Sequence, residues 1–305
     1  MLLNKLYQVA HAESKSSLRS NSVGLLRSGL ALSLFVSFLC TPTPVLMGEF
    51  SKGAHNVLPD WTNFFHLLAP IGADFVRIAT LISLAIVISG WRPFFTSFLH
   101  AWIANSFVRK LGLLEGGDMV HANLSLFLIL ICISDFRKWH WCTESYREQA
   151  RPFSNLLGHA GLIIIRIQVA VIYLHAAMGK FMVKEWVDGS AVYYWSTHAY
   201  MGANPLLLDT FDWFFRSPLI MYFVNWGVLI LELFLFAGII ASKSTRKILF
   251  LFGVCLHFGI WVIHGLASFG VVMVCALAFY LLPVSRNVSI SLLWGKIGGR
   301  NISNV

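Results

Sequence analysis

Between Arg166 and His198 the chain reads RIQVAVIYLHAAMGKFMVKEWVDGSAVYYWSTH, an apolar helix that runs out into a polar loop rich in aromatic residues. Arg166, Gln168, His175 and Lys180 fall inside or at the end of its apolar part. Elsewhere Arg77 and Glu232 interrupt apolar runs in the same way, with Asp74 near a helix end. An ionised group at the centre of a membrane helix costs about 2.5–3.5 kcal/mol on the insertion scale, so each of these predicts a partner or a water-filled cavity. On a helix over residues 156–183, Arg166, Ala170, Tyr173, Ala177 and Lys180 share one face by their spacing of three and four, while Gln168 and His175 share another. Glu232, in Trp226-Gly-Val-Leu-Ile-Leu-Glu232, is the natural counter-charge for a buried cation. His257, Trp261 and His264 repeat at the same helical spacing and form one polar-aromatic stripe.

The chemistry these residues could do is acid–base. A lysine walled by apolar and aromatic groups can lose its proton and serve as a neutral base, and Lys180 stands just before Lys184-Glu-Trp-Val-Asp-Gly189, a turn that closes the helix. Arg77 reads as a pairing or snorkelling residue and His264 as an interface residue. Glu232 is either an ion-pair anchor or an active group. Glu144, Glu148, Asp209 and Asp212 read as solvated loop charges. Proteolysis has no support: no Ser-His-Asp set has motif context, His-Glu-x-x-His is absent, and no aspartates face each other across spans.

The elements that must carry these groups are membrane helices. Hydrophobic residues make up 57% of the 305, charged residues only 12%, and mean hydropathy is +0.70, too apolar for a soluble core of this size. The net charge of +9 sits between apolar runs, where topology and anionic lipid account for it and nucleic acid does not. Four of the five cysteines (Cys40, Cys132, Cys255 and Cys275) lie in or at apolar runs and Cys142 in a polar loop. Neither metal-ligand nor disulfide spacing is present, so they read as free thiols.

Apolar runs predict helices over 23–39, 72–90, 94–108, 119–133, 156–183, 219–241, 248–264 and 267–282. The first is read as a retained span, since no small-x-small cleavage site follows it. Residues 47–70 read as a loop with an interface cluster of Trp61, Phe64, Phe65 and His66, and residues 184–217 as a long loop. The run 94–108 is short and either crosses or lies in the interface. If it crosses, fifteen Lys and Arg, counting Arg27, fall on one side. Five fall on the other: Lys52, Arg109, Lys110, Lys184 and Arg216. By the positive-inside rule this predicts an all-α polytopic bundle of about eight spans with both termini cytoplasmic and Lys180 at the outer side. The organisation is an N-terminal arm (1–22), one membrane domain (23–283) and a basic tail (284–305).

Tyr173-Leu-His-Ala-Ala-Met-Gly-Lys180, Trp186-Val-Asp-Gly189-Ser-Ala-Val-Tyr-Tyr, Trp226 to Glu232, and His257 with Ser268-Phe-Gly270 follow one another in an order that resembles the HTTM (horizontally transferred transmembrane) domain. That domain is the membrane part of vitamin K-dependent gamma-carboxylases. More closely, Gly24-Leu-Leu-Arg27-Ser, Arg92-Pro93, Gly116-Gly-Asp118, Asp135-Phe-Arg-Lys-Trp-His-Trp141 and Tyr193-Tyr-Trp-Ser-Thr-His198 resemble the bacterial sporulation-delaying protein B group along nearly the whole chain. The carboxylase resemblance implies Lys180 as the base in oxygenation of a reduced quinone, with His257 supporting it. Arg166, His175, Trp186, Asp188, Gly189, Glu232 and His264 are the remaining candidates for support or substrate binding. Gly179 stands where the carboxylases tend to carry a second lysine, and the resemblance does not extend to their large extracytoplasmic domain that holds the glutamate substrate. The cofactor is thus unknown, with a reduced quinone left open. The group resemblance implies a multi-pass protein of the bacterial plasma membrane, required for maturation of a secreted antimicrobial peptide toxin. Its partners would be the toxin precursor, a small protein of the same maturation system and the lipid bilayer, with no nucleic acid. Whether it acts as an enzyme is open, the alternatives being a peptide exporter or scaffold and a toxin-immunity protein.

Overall fold

A computed structural model describes residue 8 and residues 17–47, 59–110, 116–142 and 152–288. Most of the arm (1–22) and of the basic tail (284–305), residues 111–115, and residues 143–151 with Glu144 and Glu148 lie outside the described residues. The described residues are helical and contain no strand. A single antiparallel bridge joins Trp91 and Trp139.

Eight long helices form the frame: α1 (Asn21–Cys40), α2 (Ala73–Ser89), α3 (Pro93–Lys110), α4 (Gly116–Cys132), α5 (Pro152–Phe181), α6 (Pro218–Ala237), α7 (Lys243–His264) and α8 (Ala267–Leu281). Their ends obey local chemistry. Ser20, Ser217 and Ser242 accept hydrogen bonds from the first turns of α1, α6 and α7, each meeting a backbone N–H that has no partner within the helix. Left-handed glycines, Gly90 and Gly265, end α2 and α7. Four of these segments are long and apolar enough to cross a membrane: Asn21–Cys40, Pro152–Phe181, Pro218–Ile240 and Lys243–His264. Gly116–Cys132 and Ala267–Leu281 are shorter apolar helices.

Helix α8 is the centre. It is apolar on every side and buries Gly270 and all residues from Val272 to Leu281 except Val274, as a helix enclosed by other helices must. Around it α1, α4, α5 and α7 close a core through Leu30, Leu124, Leu128, Ile165, Val169, Tyr173, Leu249 and Phe279. A second core joins the far half of α1 to α2, α3 and a short helix, Phe64–Leu68, with Phe38 stacked on Phe65 at 5.8 Å. The two ends of the described chain meet. Asn21 Nδ2 donates to Val288 O at 2.8 Å, Val288 N–H donates back to Asn21 Oδ1 at 2.7 Å, and Ser22 donates to Arg286 O.

Three expectations need correcting. Phe64 and Phe65 are buried core residues, while Trp61, at 70% exposure, and His66 stand at the surface. The long loop 184–217 is broken into four short helices, Lys184–Val187, Ala191–Ser196, Pro205–Thr210 and Asp212–Phe215, because Asn204-Pro205 and Asp188-Gly189 supply caps and turns that restart the backbone. Arg27 is no flanking inner charge. It is 1% exposed inside α1, where its guanidinium donates to Thr96 Oγ1 at 2.9 Å and to His140 Nδ1 at 3.2 Å.

Candidate polar cleft between α5, α6 and α7

Lys180 reaches the site from the last turn of α5, one face of which buries Ala170, Tyr173 and Ala177. Its ammonium lies 2.6 and 2.9 Å from the two carboxylate oxygens of Glu232 on α6. The lysine side chain is 22% exposed and the glutamate 8%. Neither charge stands alone in an apolar bundle, which is the condition for burying either. The lysine is therefore not walled by apolar groups only: it sits on a carboxylate.

Above the pair the chain leaving α5 folds back as a roof. Trp186 places its ring 5.2 Å from Lys180 Nζ, a cation–π contact. Asn225 of α6, itself fully buried, holds that roof by donating from Nδ2 to Trp186 O at 2.8 Å. Asp188 accepts from the Ser190 backbone at 3.0 Å and from its hydroxyl, and that hydroxyl bond holds its carboxyl below the usual carboxylate range. Gly189 lies between them at φ +87°, where a Cβ would also strike the Tyr222 ring at 2.4 Å, so only glycine fits.

Below the pair, Tyr173 Oη and His257 Nε2 are 2.8 Å apart, both residues buried, and His257 packs edge-on against Phe269. His257 Nδ1 is buried with no partner. His264, at the C-terminal end of α7, donates from Nδ1 to Met201 O at 2.7 Å.

Lys180 and Glu232 line a cleft of about 400 Å³ whose other walls are Trp186, Val192, Trp195, Ser196, Val224, Val228, Cys255, Leu256, Gly259, Ile260, Ile263 and His264. The sequence-predicted candidates thus divide. Lys180, Glu232, Trp186 and His264 line the cleft, and His257 sits behind it. Asp188 and Gly189 build the roof's turn. His175 faces outward, exposed, and Arg166 donates to Phe279 O at 3.4 Å lower on α5. Neither belongs to the cleft. Trp261, of the expected stripe, also turns outward at 43% exposure.

Sequence reasoning missed Ser196, Asn225 and Trp195, and gave Tyr173 no role. Cys255, a free thiol as expected, is exposed on the cleft wall. It also missed His100 and His121, both buried, whose Nε2 atoms are 2.7 Å apart between α3 and α4.

Helices this apolar, packed around buried charges, define a helical membrane protein. The HTTM domain family matches residues 121–283, which hold every element of the cleft. The sporulation-delaying protein SdpB of Bacillus subtilis (strain 168) is 32% identical over 278 residues, covering 89% of this chain and 84% of that protein. The uncharacterized protein YitO of the same organism is 30% identical over 289 residues, covering 91% of each. The chain belongs to the HTTM-domain family and, within it, to the group that contains SdpB. No solved structure matches it.

Proposed function

We propose that the protein is an eight-span protein of the bacterial plasma membrane, both ends cytoplasmic, that serves maturation of a secreted antimicrobial peptide toxin. The domain 23–283 forms one bundle, with the arm 1–22 and the tail 284–305 on the inner side. Kinship with SdpB supports the biological setting. The clasp between Asn21 and Val288 supports an even number of crossings, since chain ends that touch lie on one side.

The observation that carries a chemical role is the Lys180–Glu232 pair on the wall of a cleft. An ion pair serving packing alone would be sealed, whereas this one lines an open space beneath a roof fixed by Asn225. Within the pair one proton can pass from ammonium to carboxylate, leaving an amine as base beside an acid as donor. Tyr173 and His257 form the polar floor behind it. This reading makes the protein the membrane enzyme, or its membrane subunit, that acts on a peptide precursor at the outer face with Lys180 as the working group.

The test is mass spectrometry of the peptide secreted by cells carrying wild-type protein, Lys180→Ala or Glu232→Gln at matched membrane levels. Loss of the mature mass, with a precursor of different mass in its place, is expected for both variants. Unchanged mass and yield from Lys180→Ala would remove the chemical role.

A further inference from the structure

The cleft has properties beyond its ion pair. Ser196 is 1% exposed and lines it, yet its hydroxyl has no partner. Next to Trp186, the Oδ1 of fully buried Asn225 is likewise unpartnered. Lys180 and Glu232 add a donor and an acceptor side by side. The remaining walls are mostly aliphatic, and the two helices that carry most of them, α6 and α7, are the least enclosed of the four long apolar helices, with 28% and 17% of their most apolar stretches buried. Trp195 also lines a second, outer cleft of about 500 Å³, shared with Lys184, Glu185, Asp188, Ser190 and His198. The two chambers thus share one indole; the inner is almost wholly apolar beyond its ion pair and Ser196, while the outer sets charged and polar side chains beside Val183, Ala191 and Tyr194.

We infer that the inner chamber receives an extended apolar stretch of a polypeptide, entering sideways between α6 and α7, while the polar residues that follow it lie in the outer chamber. The inference rests on the peptide-maturation reading above and names the part of the substrate the site takes. A chain unwound in an apolar setting exposes backbone N–H and C=O groups that lipid cannot satisfy. Ser196 and the Lys180–Glu232 pair supply donors and acceptors for them, and Val192, Val224, Val228, Leu256 and Ile260 take the apolar side chains. A reduced quinone would also suit apolar walls. Its hydroxyl could also pair with Lys180 and Glu232, but it leaves the second chamber beyond Trp195 unused. The junction between the apolar and polar parts of the peptide then falls at Trp195, above Lys180.

Cys255 on the chamber wall provides the test. The full-length protein with Cys40→Ser and Cys142→Ser, in lipid nanodiscs, is mixed with synthetic peptides made of a leucine–valine run and a serine–glycine-rich flank. Each peptide carries one cysteine at a different position, and mild oxidation reads disulfide formation with Cys255. Crosslinking is expected to peak at the apolar side of the junction. Gly259→Trp should reduce it by about tenfold or more, a loss of roughly 1.4 kcal/mol in binding. Gly227→Trp should not change it. A Cβ at either glycine meets nothing within 4 Å, and only Gly259 lines the chamber, so Gly227→Trp, checked to fold by thermal melting, controls for added bulk. Ser196→Ala should weaken crosslinking several-fold, which reads the same contact without added bulk.

Crosslinking that ignores the cysteine's position, or survives Gly259→Trp, overturns the inference. So does a quinone extracted from the Gly227→Trp protein and absent from the Gly259→Trp protein. Because crosslinking reads binding, its failure beside intact peptide maturation sinks this inference alone. Position-dependent crosslinking beside unchanged maturation in Lys180→Ala sinks the chemical reading instead.

Discussion

Lys180 and Glu232 are 52 residues apart in sequence, yet the ammonium of one lies 2.6 and 2.9 Å from both carboxylate oxygens of the other. That contact fixes the C-terminal half of α5 against α6, and the roof that bears Trp186 is built over it. Two roles are superimposed in such a pair, cohesion and chemistry, and substitutions separate them.

Removing one partner leaves the other charge uncompensated in an apolar place. Lys180→Met or Glu232→Leu alone is expected to lower stability by about 3 kcal/mol, whereas the double variant should return to within about 1 kcal/mol of wild type. Thermal melting in detergent, followed by tryptophan fluorescence, measures this. Peptide maturation should be absent in all three proteins. Recovery of maturation along with stability in the double variant would show that the pair only holds the helices.

Topology can be read from outside the cell. Lys184 follows α5 on the roof and Lys138 lies between α4 and α5, both exposed. In a background without other exposed thiols, Lys184→Cys should react with a membrane-impermeant maleimide in whole cells, and Lys138→Cys only after the cells are opened. Fusion reporters at the two ends should both report cytoplasm. Opposite sides for the two ends would contradict the clasp between Asn21 and Val288.

A buried histidine sets a pH dependence. His140 lies in the turn after α4, and burial, then the charges of Arg27 and Arg137, push its imidazole down to about 3. Because a guanidinium only donates, Arg27 donates to His140 Nδ1, so Nε2 carries the proton and points toward Ser28 Oγ at 3.3 Å. The folded value is depressed, so the unfolded chain takes up a proton first as pH falls through about 6.5. The stability contribution is complete above that pH and declines toward pH 3, by about 1.4 kcal/mol per unit. The unfolding free energy of wild type, measured against that of His140→Gln in urea titrations, should fall by about 2 kcal/mol from pH 7 to pH 5. A gap that does not change with pH would mean that His140 is not held neutral.

Much of the fold was legible because apolar runs ended by Gly and Pro mark helices plainly. The run 72–90 became Ala73–Ser89 and 267–282 became Ala267–Leu281. Starts were placed too late where the first turn is polar: α7 begins at Lys243, capped by Ser242, not at residue 248. The Lys180–Glu232 pair was legible because a charge in an apolar run demands a partner. His175 was drawn in by polarity alone. Five residues from Lys180, it points about 140° away around the helix, and the structure leaves it exposed. Ser196 and Asn225 carried no such demand, being small and neutral. Only the folding back of the roof onto α6 brings them to the site.

Arg77 shows a buried-run charge with a structural use. Its Nε donates to Phe38 O at 2.9 Å, one terminal nitrogen to Leu39 O at 2.8 Å and the other to Thr43 Oγ1 at 3.0 Å. It thus caps the end of α1, whose last carbonyls have no partner within the helix. Charged hydrogen bonds of this kind are worth about 1.5–3 kcal/mol. Arg77→Met should therefore lower stability by roughly 2 kcal/mol, while peptide maturation at matched protein level stays as in wild type. Arg77→Lys should recover part of the loss, because one ammonium reaches one carbonyl where the guanidinium fork reaches two. Melting curves of the three proteins decide the matter. Equal stability of all three would mean that the carbonyls of α1 are satisfied without Arg77. Lost maturation in a stable Arg77→Met protein would move this residue from the frame to the function.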